Sequence, residues 1–160
     1  MASSQSDQEA PFTRVILKIF QTNGQMIAWG DQFTHQFGVT SARWQMLGAL
    51  FMATAPLTAP QIADRMGVTR QGAQKQLNLL LTEGLISKKP NPDHKRSPFY
   101  QLTETGDALY QRIAAKWQNH TESIGQEISP DEQELVLKVL KKIHQLHAPN
   151  LTNPTQGAKS

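Results

Sequence analysis

The chain has 160 residues, 38% of them apolar and 18% charged, with 16 Lys and Arg against 13 Asp and Glu, and no cysteine. That is the length of one domain, or of one domain with an appended arm, and it buries a core without covalent staples. Without cysteine there is no disulfide framework, thiolate zinc site, iron–sulfur cluster or thiol switch, and the longest apolar-leaning run, Leu47–Ala55, is far short of the ~20 residues of a membrane helix. Eighteen glutamines supply neutral polar surface in place of charge. The opening MASSQSDQEAP lacks the basic and apolar regions of a secretory leader, so a soluble cytoplasmic protein with no membrane partner is expected.

Residues 1–10 and 148–160 carry no apolar repeat and read as disordered tails. Between them, Phe12, Val15, Ile16, Ile19, Phe20, Ile27, Phe33 and Phe37 recur at helical spacing from Pro11 onward. Asn23-Gly24 and Gly30 predict a kink or break in the middle of that helix. Thr40 caps a helix carrying Trp44, Leu47, Leu50 and Phe51, which Ala55-Pro56 ends. Thr58 caps a short helix with Pro60 in its first turn and a stop at Gly67. Thr69 caps the next, with Ala73, Leu77 and Leu80 or Leu81 as its apolar stripe and Gly84 just past its end. Leu85–Lys89 and Pro98–Leu102 then read as strands of a hairpin whose connector, 90–97, is turn chemistry with a basic tip. Thr103 caps a helix stepped by Leu109, Ile113, Trp117, His120 and Ile124. Ser129-Pro130-Asp131-Glu132 is a capping box that opens a last helix striped by Leu135, Val136, Val139, Leu140, Ile143 and Leu146. The expected order is α-α-α-α-β-β-α-α, a mainly α (α+β) chain.

Charge is unevenly spread. Between Arg65 and Tyr100 there are seven cations and two anions, a net +5 on a chain whose total is +3. Such a segment is an electrostatic footprint for a polyanion, or else a solvated basic face. Its setting favours the first. A short helix, the turn Gly67-Val68-Thr69, a second capped helix and a basic hairpin together make a winged helix-turn-helix. In that unit the second helix enters the DNA major groove with its N-terminal residues at the base edges. Here those are Thr69, Arg70, Gln71, Gln74, Lys75 and Asn78; amides suit adenine, and Arg or Lys suits guanine. The same amides would also simply solvate an exposed helix. Gly72 and Gln76 inside the helix point mildly to close approach by something.

The segments GVTSARWQMLGAL, LTAPQIADRMGVTRQGAQKQLNLLLTEGLI and KKPNPDHKRSPFYQLTETG, in that order over Phe37–Asp107, resemble the MarR family of winged-helix transcriptional regulators; with flanking helices the likeness covers 11–147. The resemblance implies a homodimer without a cofactor, a repressor reading two half-sites of a pseudo-palindrome in double-stranded DNA. The division it implies is 11–37 and 103–147 as dimerisation helices around a DNA-binding domain at 38–102. That domain holds the helix-turn-helix at 58–82 and the wing at 85–102. Recognition helix 69–82 and wing 88–98 would meet the DNA, with Lys95 and Arg96 at the wing tip. His94 stands where the family usually has an Asp that braces the neighbouring basic residue, which leaves the wing geometry open.

Many relatives are released by small aromatic acids. The candidates here are Trp29, His35, Arg43 and Trp44: Arg or His to pair with a carboxylate, Trp to stack on a ring. The plainer alternative, with both Trp in the core and Arg43 on the surface, is the favoured one. His144 and His147, three apart on the last helix, fit a metal only with help from His35 or His120, and more simply complement the helix dipole; no metal is expected. The chain has no phosphate-binding Gly loop, His-Glu-x-x-His or Gly-x-Ser-x-Gly, and Asp64, Glu83, Asp93, Glu104 and Asp107 are scattered, so a non-enzyme is expected. The rival reading is a winged-helix module that binds protein instead of sequence-specific DNA.

Overall fold

The computed structural model describes residues 10–147; the stretches 1–9 and 148–160, read above as parts of tails, lie outside the described residues. In chain order the elements are α1 (Pro11–His35), α2 (Ser41–Phe51), β1 (Leu57–Thr58), α3 (Ala59–Met66), α4 (Arg70–Thr82), β2 (Ile86–Lys89), β3 (Phe99–Leu102), α5 (Glu104–Gly125) and α6 (Pro130–His147). The fold is mainly helical with a three-stranded antiparallel sheet of order β1-β3-β2. Residues up to Ala115 form one unit and those from Lys116 a second.

Two expectations are corrected. First, β1 is an extra strand before α3, pairing Leu57 with Tyr100 and Thr58 with Phe99. Two residues are too few for an alternating pattern, and their partner lies some forty positions away, so no local signal announces them. Second, α1 runs unbroken through Asn23-Gly24 and Gly30. A glycine weakens a helix by about 1 kcal/mol but keeps its hydrogen-bond donor, so it does not end one. At Gly30 the missing side chain is a fit: a Cβ there would stand 2.6 Å from the Ser41 hydroxyl. The two helices are also tied by Ser41 N, which donates to Asp31 Oδ1 at 2.7 Å. Asp31 thus satisfies one of the orphan amides at the start of α2, and the Thr40 hydroxyl accepts another from Arg43 at 3.3 Å.

The core of the first unit lies between α2, α3, α4 and the sheet, where Met46, Leu47, Ile62, Ala63, Ala73, Leu77, Leu80 and Tyr100 are sealed from solvent together with Ile113 of α5. Gly67 closes α3 at φ 64°, the left-handed conformation that glycine enters without steric cost. The join of wing to α5 is made by Thr103: its hydroxyl donates to Gly84 O at 2.7 Å and accepts from Gly106 N at 3.1 Å, while its amide donates to Leu85 O at 3.1 Å. Gly106 is required there, since a Cβ would lie 1.9 Å from Leu85 O. This is the physical content of the Leu-Thr-x-x-Gly stretch.

In the second unit, Ser129 and Glu132 make the expected capping box at the head of α6, with Ser129 N donating to Glu132 Oε2 at 2.9 Å and Glu132 N to Ser129 Oγ at 3.3 Å. The Ser129 hydroxyl, which donates to Glu132 Oε2 at 2.7 Å, and then the Ser129 amide hold the Glu132 carboxyl below its ordinary range. No residue of α6 is buried. At its other end the His147 ring meets Ile143 O at 2.9 Å, in keeping with a histidine complementing a helix C-terminus.

Candidate nucleic-acid interface

Helix α4 begins at the Thr69 cap, whose hydroxyl accepts from Gly72 N at 3.0 Å. A Cβ on Gly72 would sit 2.9 Å from that hydroxyl, so this glycine is accounted for by the cap itself. Beyond the cap, Ala73, Leu77 and Leu80 turn into the core. The remaining positions follow from the 3.6-residue period: Thr69, Arg70, Gln71, Lys75 and Asn78 are exposed, Gln74 half-buried. The outer face is a shallow hollow of about 840 Å³ lined by Thr69, Gln71, Gly72, Gln74, Lys75, Asn78, Leu79 and Thr82.

Gln74 differs from its neighbours. Its Nε2 donates to Asn78 Oδ1 and to the Tyr100 hydroxyl, both at 3.0 Å. Tyr100 is only 2% exposed and sits on the central strand β3. Sequence reading placed Gln74 in the recognition set but gave no hint of this bond, which joins residues 26 apart.

The wing is the β2–β3 hairpin, with Lys88 opposite Tyr100 and Lys89 opposite Phe99. Its tip carries exposed His94, Lys95 and Arg96. Asn91 organises the tip. It is buried, its Nδ2 donates to Ser97 O at 2.9 Å and its Oδ1 accepts from Asp93 N at 3.1 Å. A further turn bond runs from Ser97 N to His94 O at 2.9 Å. Asn91 was missed in the sequence; Asn-Pro-Asp in a turn is the signal for such a side-chain bracket.

The four effector candidates are not gathered into one site. Trp29 stacks on Phe33 (centroids 4.9 Å apart), which also meets Trp44 at 5.4 Å, and both Trp are half-buried. Arg43 pairs with Glu83, just past the end of α4. It lines a hollow of about 590 Å³ with Ile27, Asp31, Lys75, Leu79 and Glu83 among its other walls. His35 is exposed and borders a different hollow, beside Asp31 and Gln32.

Among the described residues no helix is long and apolar enough to cross a membrane. Comparison with known proteins agrees with the reading of the fold. The MarR family model matches residues 37–97. An uncharacterized protein of Mycobacterium tuberculosis is 39% identical over 103 residues, which is 64% of this chain and 71% of that one. The crystal structure of a MarR family transcription regulator matches with a TM-score of 0.72 at 26% identity, over 90% of this chain and 93% of its own. Staphylococcus aureus MepR, solved in complex with DNA, shares the fold with a TM-score of 0.71 at 22% identity, over 86% of this chain and 99% of its own. With its capped α4, its basic wing and these likenesses, the chain belongs to the MarR family of winged helix-turn-helix transcription regulators.

Proposed function

We propose that the protein is a homodimeric repressor that binds a pseudo-palindromic operator in cytoplasmic DNA, with no catalytic role. The observation that carries this reading is the meeting of two exposed surfaces on one unit. The face of α4 with Arg70, Gln71, Lys75 and Asn78 offers base-edge chemistry, and the wing with Lys88, Lys89, Lys95 and Arg96 offers phosphate neutralisation. The bound MepR structure supports the same use of the fold. Residues 38–102 are then the reading head, with 58–82 as helix-turn-helix and 85–102 as wing, and 11–37 and 103–147 supply the dimer contacts. Exposed Phe12, Leu17, Phe20 and Met26 on α1, and Leu135, Val136, Leu137 and Leu146 on α6, support a second copy as their cover.

An aromatic acid, the effector class that the resemblance implies, would meet Arg43 already paired with Glu83. Its carboxylate would exchange with that of Glu83, freeing the C-terminal end of α4.

The test is binding to mixed-sequence duplex DNA across a salt series. A dimer contacting ~6–10 phosphates loses ~10³–10⁵ in affinity between 50 and 200 mM salt. A module that binds protein shows almost no slope, and that result overturns the reading.

A further inference from the structure

We propose that Tyr100 and Gln74 form a positioning pair that fixes the recognition helix against the wing, and so sharpens sequence preference without touching a base. This rests on the DNA-reading function proposed above and deepens it. Tyr100 is held from both sides, by Leu57 of β1 and Lys88 of β2, with the Lys88 ammonium 5.9 Å from its ring centroid. At 2% exposure the ring has nowhere to move. Its hydroxyl is the fixed point that Gln74 grips from α4.

An amide nitrogen carries two hydrogens. On Gln74 both are spent inside the protein, one on Tyr100 and one on Asn78. A two-point contact with adenine needs a free amide N–H beside the carbonyl. Gln74 has none without giving up either its bond to Asn78 or its bond to the Tyr100 hydroxyl, and the second leaves a buried group without its partner, which is costly in a dry setting. Base reading from α4 therefore falls on Arg70, Gln71, Lys75 and Asn78, the last steered by Gln74. The wing grips backbone while the helix meets base edges, and both contacts form together only if the angle between them is right. The Tyr100–Gln74 bond spans the two elements and sets that angle.

The experiment compares wild type, Gln74→Ala, Tyr100→Phe, the double variant and, as a control, Gln71→Ala. Each selects from a random duplex pool, and each is titrated against unselected duplex in a salt series. The expected result is that Gln74→Ala and Tyr100→Phe each broaden the preference across the whole half-site. Each loses about threefold to tenfold in specific affinity, the worth of one hydrogen bond. Affinity for unselected DNA and its salt slope stay as in wild type, and the double variant loses no more than the worse single. Gln71→Ala instead loses preference at one or two adjacent base pairs, and its effect adds to that of Tyr100→Phe.

The proposal is overturned if Tyr100→Phe keeps the wild-type profile while Gln74→Ala loses one base pair, or if the two losses add. Tyr100→Phe removes a single oxygen, so it decides the matter even where Gln74→Ala folds poorly. A wild-type protein that enriches no sequence overturns the DNA-reading function and this pair with it. Enrichment by wild type, matched by both variants, overturns the pair alone.

Discussion

On α4, Ala73, Leu77 and Leu80 are wholly buried; on α6, Leu135, Val136, Leu137, Val139, Leu140 and Leu146 stand 41–69% exposed. Both helices carry apolar stripes of similar density, so the difference lies in what covers them. The helix-turn-helix and its sheet close a core within one copy of the chain. Their turns are sealed within that copy, by Thr69 on Gly72, by Thr103 between Gly84 and Gly106, and by Asn91 across the wing turn. Helix α6 has its cap and its periodicity but no core of its own. The comparison separates a region whose apolar stripe is covered within one copy from a region whose apolar face one copy leaves exposed, and a sequence stripe looks the same in both.

The largest expected break falls on the self-sufficient region. Gly106→Ala would drive a methyl into Leu85 O, beyond ordinary overpacking, at about 3 kcal/mol or more. Chemical denaturation should show this loss at every protein concentration. Next, Leu77→Ala empties a fully buried site and should cost about 2–5 kcal/mol, again without dependence on concentration. Val139→Asp or Ile143→Asp on α6 should behave in the opposite way. The reading head stays folded by hydrogen exchange, and sedimentation shifts from dimer to monomer; a variant that still sediments as a dimer rejects α6 as the interface.

Smaller effects sharpen the head itself. Asn91→Ala unties the wing tip and should weaken binding to all duplexes by about 1–2 kcal/mol, measured by anisotropy. Lys95→Ala or Arg96→Ala should reduce the salt slope by about 1 and leave sequence preference unchanged. The smallest effect lies in the α6 cap. The Glu132 carboxyl titrates below its ordinary value when folded, so its contribution is full above pH 4.5 and fades as pH falls through the folded value. Thermal unfolding of wild type and Glu132→Gln should therefore differ near neutrality and converge in acid.

What could be read from the sequence was local. Thr69, Gly67, Gly84 and the Ser129–Glu132 box sit within a few positions of the groups they satisfy, so residue type and spacing were enough. The basic wing was legible because charge needs no partner to be counted. Apart from the local bracket of Asn91, the parts that escaped are joined across the chain: β1 on β3, Asp31 on Ser41, Arg43 on Glu83, Gln74 on Tyr100. The same limit explains the expected break in α1. Glycine propensity marked Gly30 as weak, while its actual setting against Ser41 needs the absence of a side chain. Arg43 shows it at the candidate effector site, where the sequence offered a ligand residue or a surface residue and the fold supplies a carboxylate partner.

The central claim is that two reading heads, joined by helices that one copy leaves uncovered, recognise one operator. Selection from a random duplex pool by the purified protein tests it most directly. The expected result is a pseudo-palindrome whose half-sites lie about one helical turn apart, ~10 base pairs centre to centre. Enrichment of a lone half-site, or of nothing at low salt by a folded protein, would contradict it.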